Sequence, residues 1–478
     1  MGRKKKFKPR IFLAPKGMHD ILPEEQKYWE RVRHMTRTLF SFYNFGRIDT
    51  PHIEETELFL QSVGQDTDIV EKEMYSFITT GGDELTLRPE GTAPVIRAYL
   101  QNGFVNRSHP VKLYYFGSYF RHESPQRGRF REFNQTGLEI IGDENAVADA
   151  EIMHIFSILL KELGISDYVF HVNSVGCKDC RPHYRSLLLQ YYRPKAKGLC
   201  RDCKRRLKQN PLRLLDCKEE KCQVYKANAP QLLDNLCEAC KKHFTMLLEF
   251  LDEGQIPYAL DMHLVRGLDY YTRTVFEVFV NAEPKPNQKP EVEEIAMREP
   301  EEGEEEKAGA KAEEMKPEPV IEKVPEEKPM SLKGIAIASG GRYDNLVQLL
   351  GGRPTPAVGG AIGLERLVYV MKMLRVKTGS SSKNKVFFVQ LGDFAKKKSF
   401  KLLEEMRDAG ISVGESLGRD SIKSQLKIAD KSQAEYSLIL GQKEAIDNTI
   451  IIREMSSGIQ EIIPRDRIID MLKKKLKK

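Results

Sequence analysis

The stretch from Tyr114 to Gly142 reads YYFGSYFRHESPQRGRFREFNQTGLEIIG. An apolar strand signal runs to Phe120, followed by Arg121-His122-Glu123 and a polar loop, Ser124-Pro125-Gln126-Arg127-Gly128. A second strand then alternates with a period of two. Successive strand side chains point to opposite sides, so Arg129, Arg131, Phe133, Gln135, Gly137 and Glu139 are expected on one face. That face offers fixed cations, an aromatic plane, an amide, a gap and a carboxylate. It suits an anionic ligand with a flat base at one end and a polar, cationic ligand at the other. A solvated hairpin is the competing reading, but a wet face rarely mixes Phe and a mid-strand Gly with charges.

The chain has 478 residues, more than one hydrophobic core usually spans, so two or three domains are expected. Hydrophobic content of 40% and charged content of 30% fit a globular protein. No apolar run approaches the ~20 residues needed to cross a bilayer. The basic start (Arg3, Lys4, Lys5, Lys6) is followed by no apolar segment of secretory length, and the chain reads as cytoplasmic, with no membrane partner. Residues 283–329 hold 16 Glu, no Asp and 8 Lys or Arg, net −8, so the +7 total leaves +15 on the rest. A body this basic fits a polyanionic partner.

Residues 24–45 carry Trp29, Val32, Met35, Leu39 and Phe42 at helical spacing, and a Pro-interrupted strand follows to Glu54. Residues 283–330 are Pro/Glu-rich without aromatics and read as a disordered acidic insertion. They separate two strand-like runs, Phe276–Val280 and Gly334–Ala338, as an extended hairpin loop. Its purpose stays open between an inert linker and a partner-binding segment. A linker at 378–384 leads to residues 385–478, where alternating strands and helices predict a small α/β domain with a largely parallel sheet.

All eight cysteines fall in residues 177–240, as Cys177-x2-Cys180, Cys200-x2-Cys203, Cys217-x4-Cys222 and Cys237-x2-Cys240. Eight thiolates suffice for two four-coordinate zinc sites. Reduced, buried cysteines without metal are the alternative, and the spacing does not fix which pairs would share an ion.

The hairpin resembles motif 2 of the class II aminoacyl-tRNA synthetases. Leu264-Val265-Arg266-Gly267-Leu268-Asp269-Tyr270-Tyr271 and Ser339-Gly340-Gly341-Arg342-Tyr343-Asp344 are similar to two signatures of the histidyl-tRNA synthetase family. Val358–Leu367 resembles motif 3, and Leu87–Thr92 another family segment. The resemblance covers nearly the whole chain. It implies an α+β catalytic domain on a mostly antiparallel sheet with flanking helices, in three parts (1–175, 251–282 and 331–377). It also implies an inserted Cys-rich, mainly helical domain (176–250) and a C-terminal anticodon-binding-like α/β domain (385–478). The helix at 24–45 and its strand correspond to motif 1, which in that class lies at a homodimer interface. Ser421–Gln425 matches a family segment at a helix start.

The implied activity joins L-histidine to tRNA through an adenylate, with ATP and Mg2+ and with no DNA partner. Arg121 would fork onto the α-phosphate. Glu123, His122 and Arg129 would lie near adenine and the phosphate tail. Phe133 would stack on the base, with Arg366 over its other face or at the γ-phosphate. Gly359, Gly360 and Gly363 would let backbone approach phosphate. Glu90, Thr92 and Gln135 would hold the amino group, and Glu139 and Tyr271 the ring nitrogens. Arg266 would meet carboxylate and α-phosphate, oriented by Asp269. Arg88 and Arg342 are secondary candidates or structural ion-pair partners. Ser124 departs from the arginine many bacterial relatives carry, leaving Gln126 and Arg127 for the tRNA end. The insert would lie against the acceptor arm through Arg201, Lys204, Arg205, Arg206 and Lys208. Two other readings compete: a non-catalytic synthetase-like regulatory subunit of histidine biosynthesis, and a zinc-dependent nucleic-acid-binding protein.

Overall fold

Period-two alternation forms the central antiparallel hairpin, whose two strands pair from Val111 opposite Ile141 to Phe120 opposite Glu132. The computed structural model describes residues 12–65, 67–123, 128–281, 332, 334–378 and 385–476. The acidic insertion, the linker, the basic N-terminus and Ser124–Arg127 lie outside these. The chain divides into two units, residues 1–377 and 378–478.

The first unit contributes β1 (Gly46–Arg47), β2 (Ile53–Glu55), β3 (Tyr75–Ile78), β4 (Glu84–Leu87), β5 (Val111–Phe120), β6 (Glu132–Ile141), β7 (Tyr168–Ser174), β8 (Tyr258–Leu260), β9 (Thr272–Val280), β10 (Ile335–Arg342) and β11 (Ala357–Gly363). Eight of these form one sheet in the order β1-β5-β6-β11-β10-β9-β7-β8, and β2-β4-β3 form a small second sheet. The large sheet is antiparallel except where its short edge strands join, β1 on β5 and β8 on β7. β9 and β10 pair antiparallel, so the strands flanking the acidic insertion are neighbours.

One face of the sheet is sealed by helices Gln26–Phe42, Ala146–Glu162, Glu238–Glu253 and Leu364–Met373, whose Trp29, Phe156, Leu247 and Leu367 pack on Leu138, Ile140 and Phe276. On the other face Tyr115, Tyr119, Tyr271 and Tyr343 share one apolar cluster with Tyr184, Leu188, Cys203 and Leu214 of the Cys-rich segment. That segment, with helices Arg181–Tyr192, Arg201–Gln209 and Glu220–Lys226, therefore completes the core of the first unit.

A buried ion pair ties the layers together. Arg342 is fully buried, donating to Asp149, to Asp143 O at 2.7 Å and to Asn145 O at 3.0 Å. Burial alone would raise the Asp149 carboxyl, but Arg342 and His243 overcome it and hold it at about 2. Arg342 is thus a structural residue rather than part of a ligand site. Removing one partner of such a pair leaves a buried charge uncompensated, so Arg342→Ala should cost ~3–5 kcal/mol of unfolding free energy. Denaturant titration measures this, and a loss below about 1 kcal/mol would contradict the assignment.

In the second unit β12 (Val386–Gln390), β13 (Val413–Glu415), β14 (Tyr436–Leu440), β15 (Thr449–Glu454) and β16 (Gln460–Pro464) lie in the order β13-β12-β14-β15-β16. β12 pairs parallel with β13 and β14, while β14-β15 and β15-β16 are antiparallel. The expected largely parallel sheet is corrected to a mixed one. A short connection closes a hairpin, whereas a parallel pairing needs a crossover of a dozen residues or more. Ser421 caps helix Ile422–Lys431 by accepting from Ser424 N at 3.4 Å. Among the described residues, no helix is long and apolar enough to cross a membrane.

Candidate active site

Strand register sets out the site in rows across the second face. Tyr119 lies opposite Phe133; Gly117, Gln135 and Gly363 form the next row; Tyr115, Gly137 and Ala361 the next; then Leu113, Glu139 and Gly359. β10 and β9 extend it with Ser339 opposite Glu277 and Gly341 opposite Val275.

Glu139 is the deepest group. Thr92 Oγ1 donates to its Oε1 at 2.9 Å, Tyr115 reaches the same oxygen at 3.4 Å, and the Tyr343 hydroxyl donates to Oε2. Burial pushes the Glu139 carboxyl up to about 8, against the opposing pull of the Tyr343 and Thr92 bonds. A Cβ on Gly359 would sit 1.7 Å from Glu139 Oε2, so only glycine leaves room for this carboxyl. Gly360 in turn faces Phe276 and Phe156. Both glycines therefore serve internal packing and not the phosphate approach expected of them. Gly363 differs: the nearest atom to its Cβ would be Ile337 O at 3.9 Å, so the space over it is open to a ligand. The gap expected at Gly137 is filled by the Tyr115 ring, 2.3 Å from where a Cβ would lie.

Glu90 caps helix Thr92–Gln101, accepting from Thr92 N at 2.6 Å and Ala93 N at 2.8 Å, and Tyr270 hydroxyl lies 3.4 Å away. Burial raises its carboxyl above the ordinary range. Tyr270 packs against Tyr271 with centroids 4.7 Å apart and the rings tilted by 51°, and Tyr271 lies against Gly341. Arg266 donates to Ser339 Oγ at 2.6 Å and lies 3.5 Å from Glu277, while its buried Nε has no partner among the described residues. Glu277 keeps it firmly cationic despite burial. Asp269, expected to orient Arg266, accepts from Asn210 at 2.9 Å. A cleft of about 450 Å³ opens beside this loop, lined by Arg181, Asn210, Arg213, Arg266 and Tyr271 among others.

Arg121 donates through Nε to Pro89 O at 2.8 Å, and its guanidinium lies 5.4 Å from the Phe133 ring centre. Glu123 bridges Arg121 at 3.7 Å and Arg129 at 3.2 Å. Arg366 donates to Gly128 O at 3.0 Å and Ala336 O at 2.7 Å. The regular strand begins at Glu132, so the face expected from Arg129 onward is shorter. Arg131 leaves it because its N–H bonds to Gly17 O at 2.7 Å and its side chain reaches Glu123 O. His122 is exposed and packs on Tyr75. Arg88 is buried on Thr50 O and Ser118 O, a structural role. Thr92 joins Glu90 and Glu139 by hydrogen bonds, and Arg121, Tyr271 and Arg266 lie within electrostatic reach of this group. Tyr115, Tyr343, Ser339 and Glu277 belong to it and were given no role beforehand, although all four lie in segments that the sequence singles out.

The cysteines gather as Cys177, Cys180, Cys237 and Cys240, and as Cys200, Cys203, Cys217 and Cys222, the sulfurs of each group within 4.8 Å of one another. Separations of 3.8 Å (Cys177–Cys180), 3.7 Å (Cys177–Cys237), 3.8 Å (Cys180–Cys240) and 3.9 Å (Cys200–Cys217) recur. Four sulfurs at ~2.3 Å from one zinc in a tetrahedron stand about 3.8 Å apart. The donor sets fit the metal. Of the basic residues expected to face RNA, Arg205 and Arg206 are turned inward onto Glu71 and Asp68.

An antiparallel sheet bearing this motif arrangement defines the catalytic core of a class II aminoacyl-tRNA synthetase. A family profile described as Histidyl-tRNA synthetase matches residues 17–287, and one described as Anticodon binding domain matches residues 385–475. A histidine–tRNA ligase of Dehalococcoides mccartyi is 40% identical, the match covering 98% of this chain and all of the relative. One of Pelotomaculum thermopropionicum is 38% identical, with 97% of each covered. The structure of apo S. aureus histidyl-tRNA synthetase superposes with a TM-score of 0.72 at 30% identity, covering 96% of this chain and 99% of that one. The chain belongs to the histidyl-tRNA synthetase family.

Proposed function

We propose that this chain activates L-histidine with ATP and passes it to the 3′ end of its tRNA, with the residues above in the roles that follow. It is a histidine–tRNA ligase. The histidine carboxylate attacks the α-phosphate of ATP, releasing pyrophosphate and forming histidyl-adenylate, and a terminal ribose hydroxyl then takes the histidyl group. Such chemistry needs positioning and charge neutralisation more than a protein nucleophile. Arg121 forks onto the α-phosphate, Phe133 and Arg366 bracket the adenine, and Glu123 and Arg129 border it. Gly363 leaves the nucleotide room. Glu90, Thr92 and Gln135 take the α-ammonium, Glu139 and Tyr271 the ring, and Arg266 the carboxylate and the developing phosphate charge. Magnesium enters with the ATP phosphates as part of the substrate.

The observation that carries this reading is the grouping of these residues: Thr92 bonds both Glu90 and Glu139, Arg121 acts electrostatically on Glu90, and Glu139 and Arg266 act on Tyr271. Histidine-dependent exchange of labelled pyrophosphate into ATP tests it. Exchange with histidine and none with other amino acids is expected. A folded protein lacking exchange would favour a regulatory subunit instead.

Catalytic residues are assigned to 1–175, 251–282 and 331–377, and tRNA anticodon contacts to 385–478. A homodimer is supported by exposed Phe42, Ile53, Phe77 and Ile78 on the motif 1 helix and small sheet. Thiols held as two reduced tetrads suit the cytoplasm. The two tetrads each hold structural zinc, which would fix the insert's short helices. Elemental analysis of untagged protein should give about two zinc per chain, the four ligands of each tetrad completing one tetrahedral site. Cys203→Ser should lose one of them and lower the melting temperature. Metal-free protein with full stability would refute the assignment.

A further inference from the structure

Residues 264–271 form neither helix nor strand, yet supply Arg266 and Tyr271 to the site. Main-chain carbonyls of an irregular buried segment need partners from elsewhere. Here they come from the Cys-rich insert. Arg213 Nη1 donates to Arg266 O at 2.9 Å, and Arg181 Nη2 donates to Tyr271 O. Between them Asn210 Nδ2 donates to Asp269 Oδ1 at 2.9 Å, and Asp269 N bonds to Val63 O at 3.0 Å on the opposite side. We propose that Arg181 and Arg213 are positioning residues for histidine activation, clamping the two ends of the 266–271 loop by its carbonyl oxygens. This rests on the functional reading above.

Both guanidiniums are built in. Arg213 is buried, 3.4 Å from Asp68 and 3.8 Å from Asp216, and Asp68 is itself gripped by Arg206 at 2.7 Å. Arg181 also donates to Val175 O at 2.9 Å, so one fork spans the chain just before the insert and the loop after it. A Cβ on Gly267 would lie 3.3 Å from Arg213 Nη1, so the loop backbone passes close over that guanidinium. Arg181 directly follows Cys180, and Asn210–Arg213 lie between Cys203 and Cys217. Each clamp is thus anchored beside a different cysteine tetrad. The insert, whatever RNA it meets, is a scaffold for the catalytic loop. The clamps bond the loop through its main-chain carbonyls, so their loss leaves Arg266 and Tyr271 in place chemically but unfixed in position.

Arg181→Ala and Arg213→Ala in the full chain test this. Misplacement of reacting groups by an ångström costs on the order of a hundredfold in rate, so kcat of histidine-dependent pyrophosphate exchange should fall by about that factor. KM for ATP should stay within about threefold, since ATP contacts lie elsewhere. Amide hydrogen exchange over 264–271 should accelerate about tenfold while β6 and helix Glu238–Glu253 keep wild-type protection. Arg181→Lys and Arg213→Lys, which retain one donor, should recover part of both effects. Unchanged exchange over 264–271, or acceleration spread equally through β6, would overturn the proposal. A wild-type protein without histidine-dependent turnover would instead overturn the functional reading, and the loop's exchange rates would still decide the clamp.

Discussion

Arg266→Ala should lower kcat for histidine-dependent pyrophosphate exchange by on the order of 10²–10³, the usual loss when one fixed electrostatic stabiliser of a transition state is removed. ATP affinity should be nearly unchanged, because the groups assigned to adenine and phosphates (Arg121, Phe133, Arg366) sit just after β5, on β6 and on the helix after β11. Two features argue that the guanidinium is aimed at substrate. Its Nε is buried with no partner among the described residues, an arrangement that is costly unless a ligand completes it. Its other contacts, Ser339 and Glu277, hold it from the sheet side and keep it charged. Arg266→Lys retains charge but not the planar fork and should recover only part of the loss. If Arg266 merely paired with Glu277 to support the fold, the alanine variant would melt earlier and turn over normally once folded. Titration calorimetry with ATP beside the exchange assay separates the cases, and exchange within about threefold of wild type would end the assignment.

What could be read from the chain beforehand divides along sequence distance. The Phe133–Gln135–Glu139 face was legible because period-two alternation is local, and the strand now runs from Glu132 to Ile141. The cysteine pairs were legible for the same reason: Cys-x2-Cys places two sulfurs on one turn. Which pairs meet was not, since Cys177 and Cys237 lie 60 residues apart in the chain and meet ahead of two different helices. Arg129 and Arg131 were placed on the face because alternation continues through them, but Gly17, from a distant segment, draws the Arg131 backbone aside. The glycines of motif 3 show the converse. Their presence was evident; what each accommodates depends on the neighbouring strand, and Gly359 accommodates Glu139. The parallel sheet expected in the second unit failed on the β15–β16 hairpin, whose connection from Glu454 to Gln460 is too short for the crossover a parallel pair needs. The tyrosines around Glu139 arrive from β5 and from beyond β10, so no local pattern announces them.

Glu139→Ala should abolish histidine selection, with kcat/KM for histidine reduced by on the order of 10³ or more, since a site built to hydrogen-bond a ring nitrogen discriminates by that order when the bond is lost. The Gln variant is more telling, because it keeps shape and removes only the titration. Burial raises the Glu139 carboxyl to about 8. Histidine's ring titrates near 6.5. Between these values carboxyl and neutral ring together bring one proton, which the complex shares, so binding takes up and releases none. Above about 8 the free carboxyl is ionised and the ring neutral. Binding must then take up a proton, and KM for histidine should rise about tenfold per pH unit. Glu139→Gln should flatten this alkaline limb relative to wild type, while ionisation of the substrate's ammonium affects both proteins alike and cancels in the comparison. The same shift bears on folding. The folded carboxyl binds its proton more tightly than the ordinary value of 4.5, so its contribution to stability is complete below about 4.5 and is lost as pH rises through about 8. Saturating histidine, by supplying a partner for the ionised carboxylate, should restore thermal stability near pH 8 in the wild type and not in Glu139→Gln. Parallel alkaline limbs in the two proteins would mean that Glu139 faces the tyrosines alone and not the substrate ring.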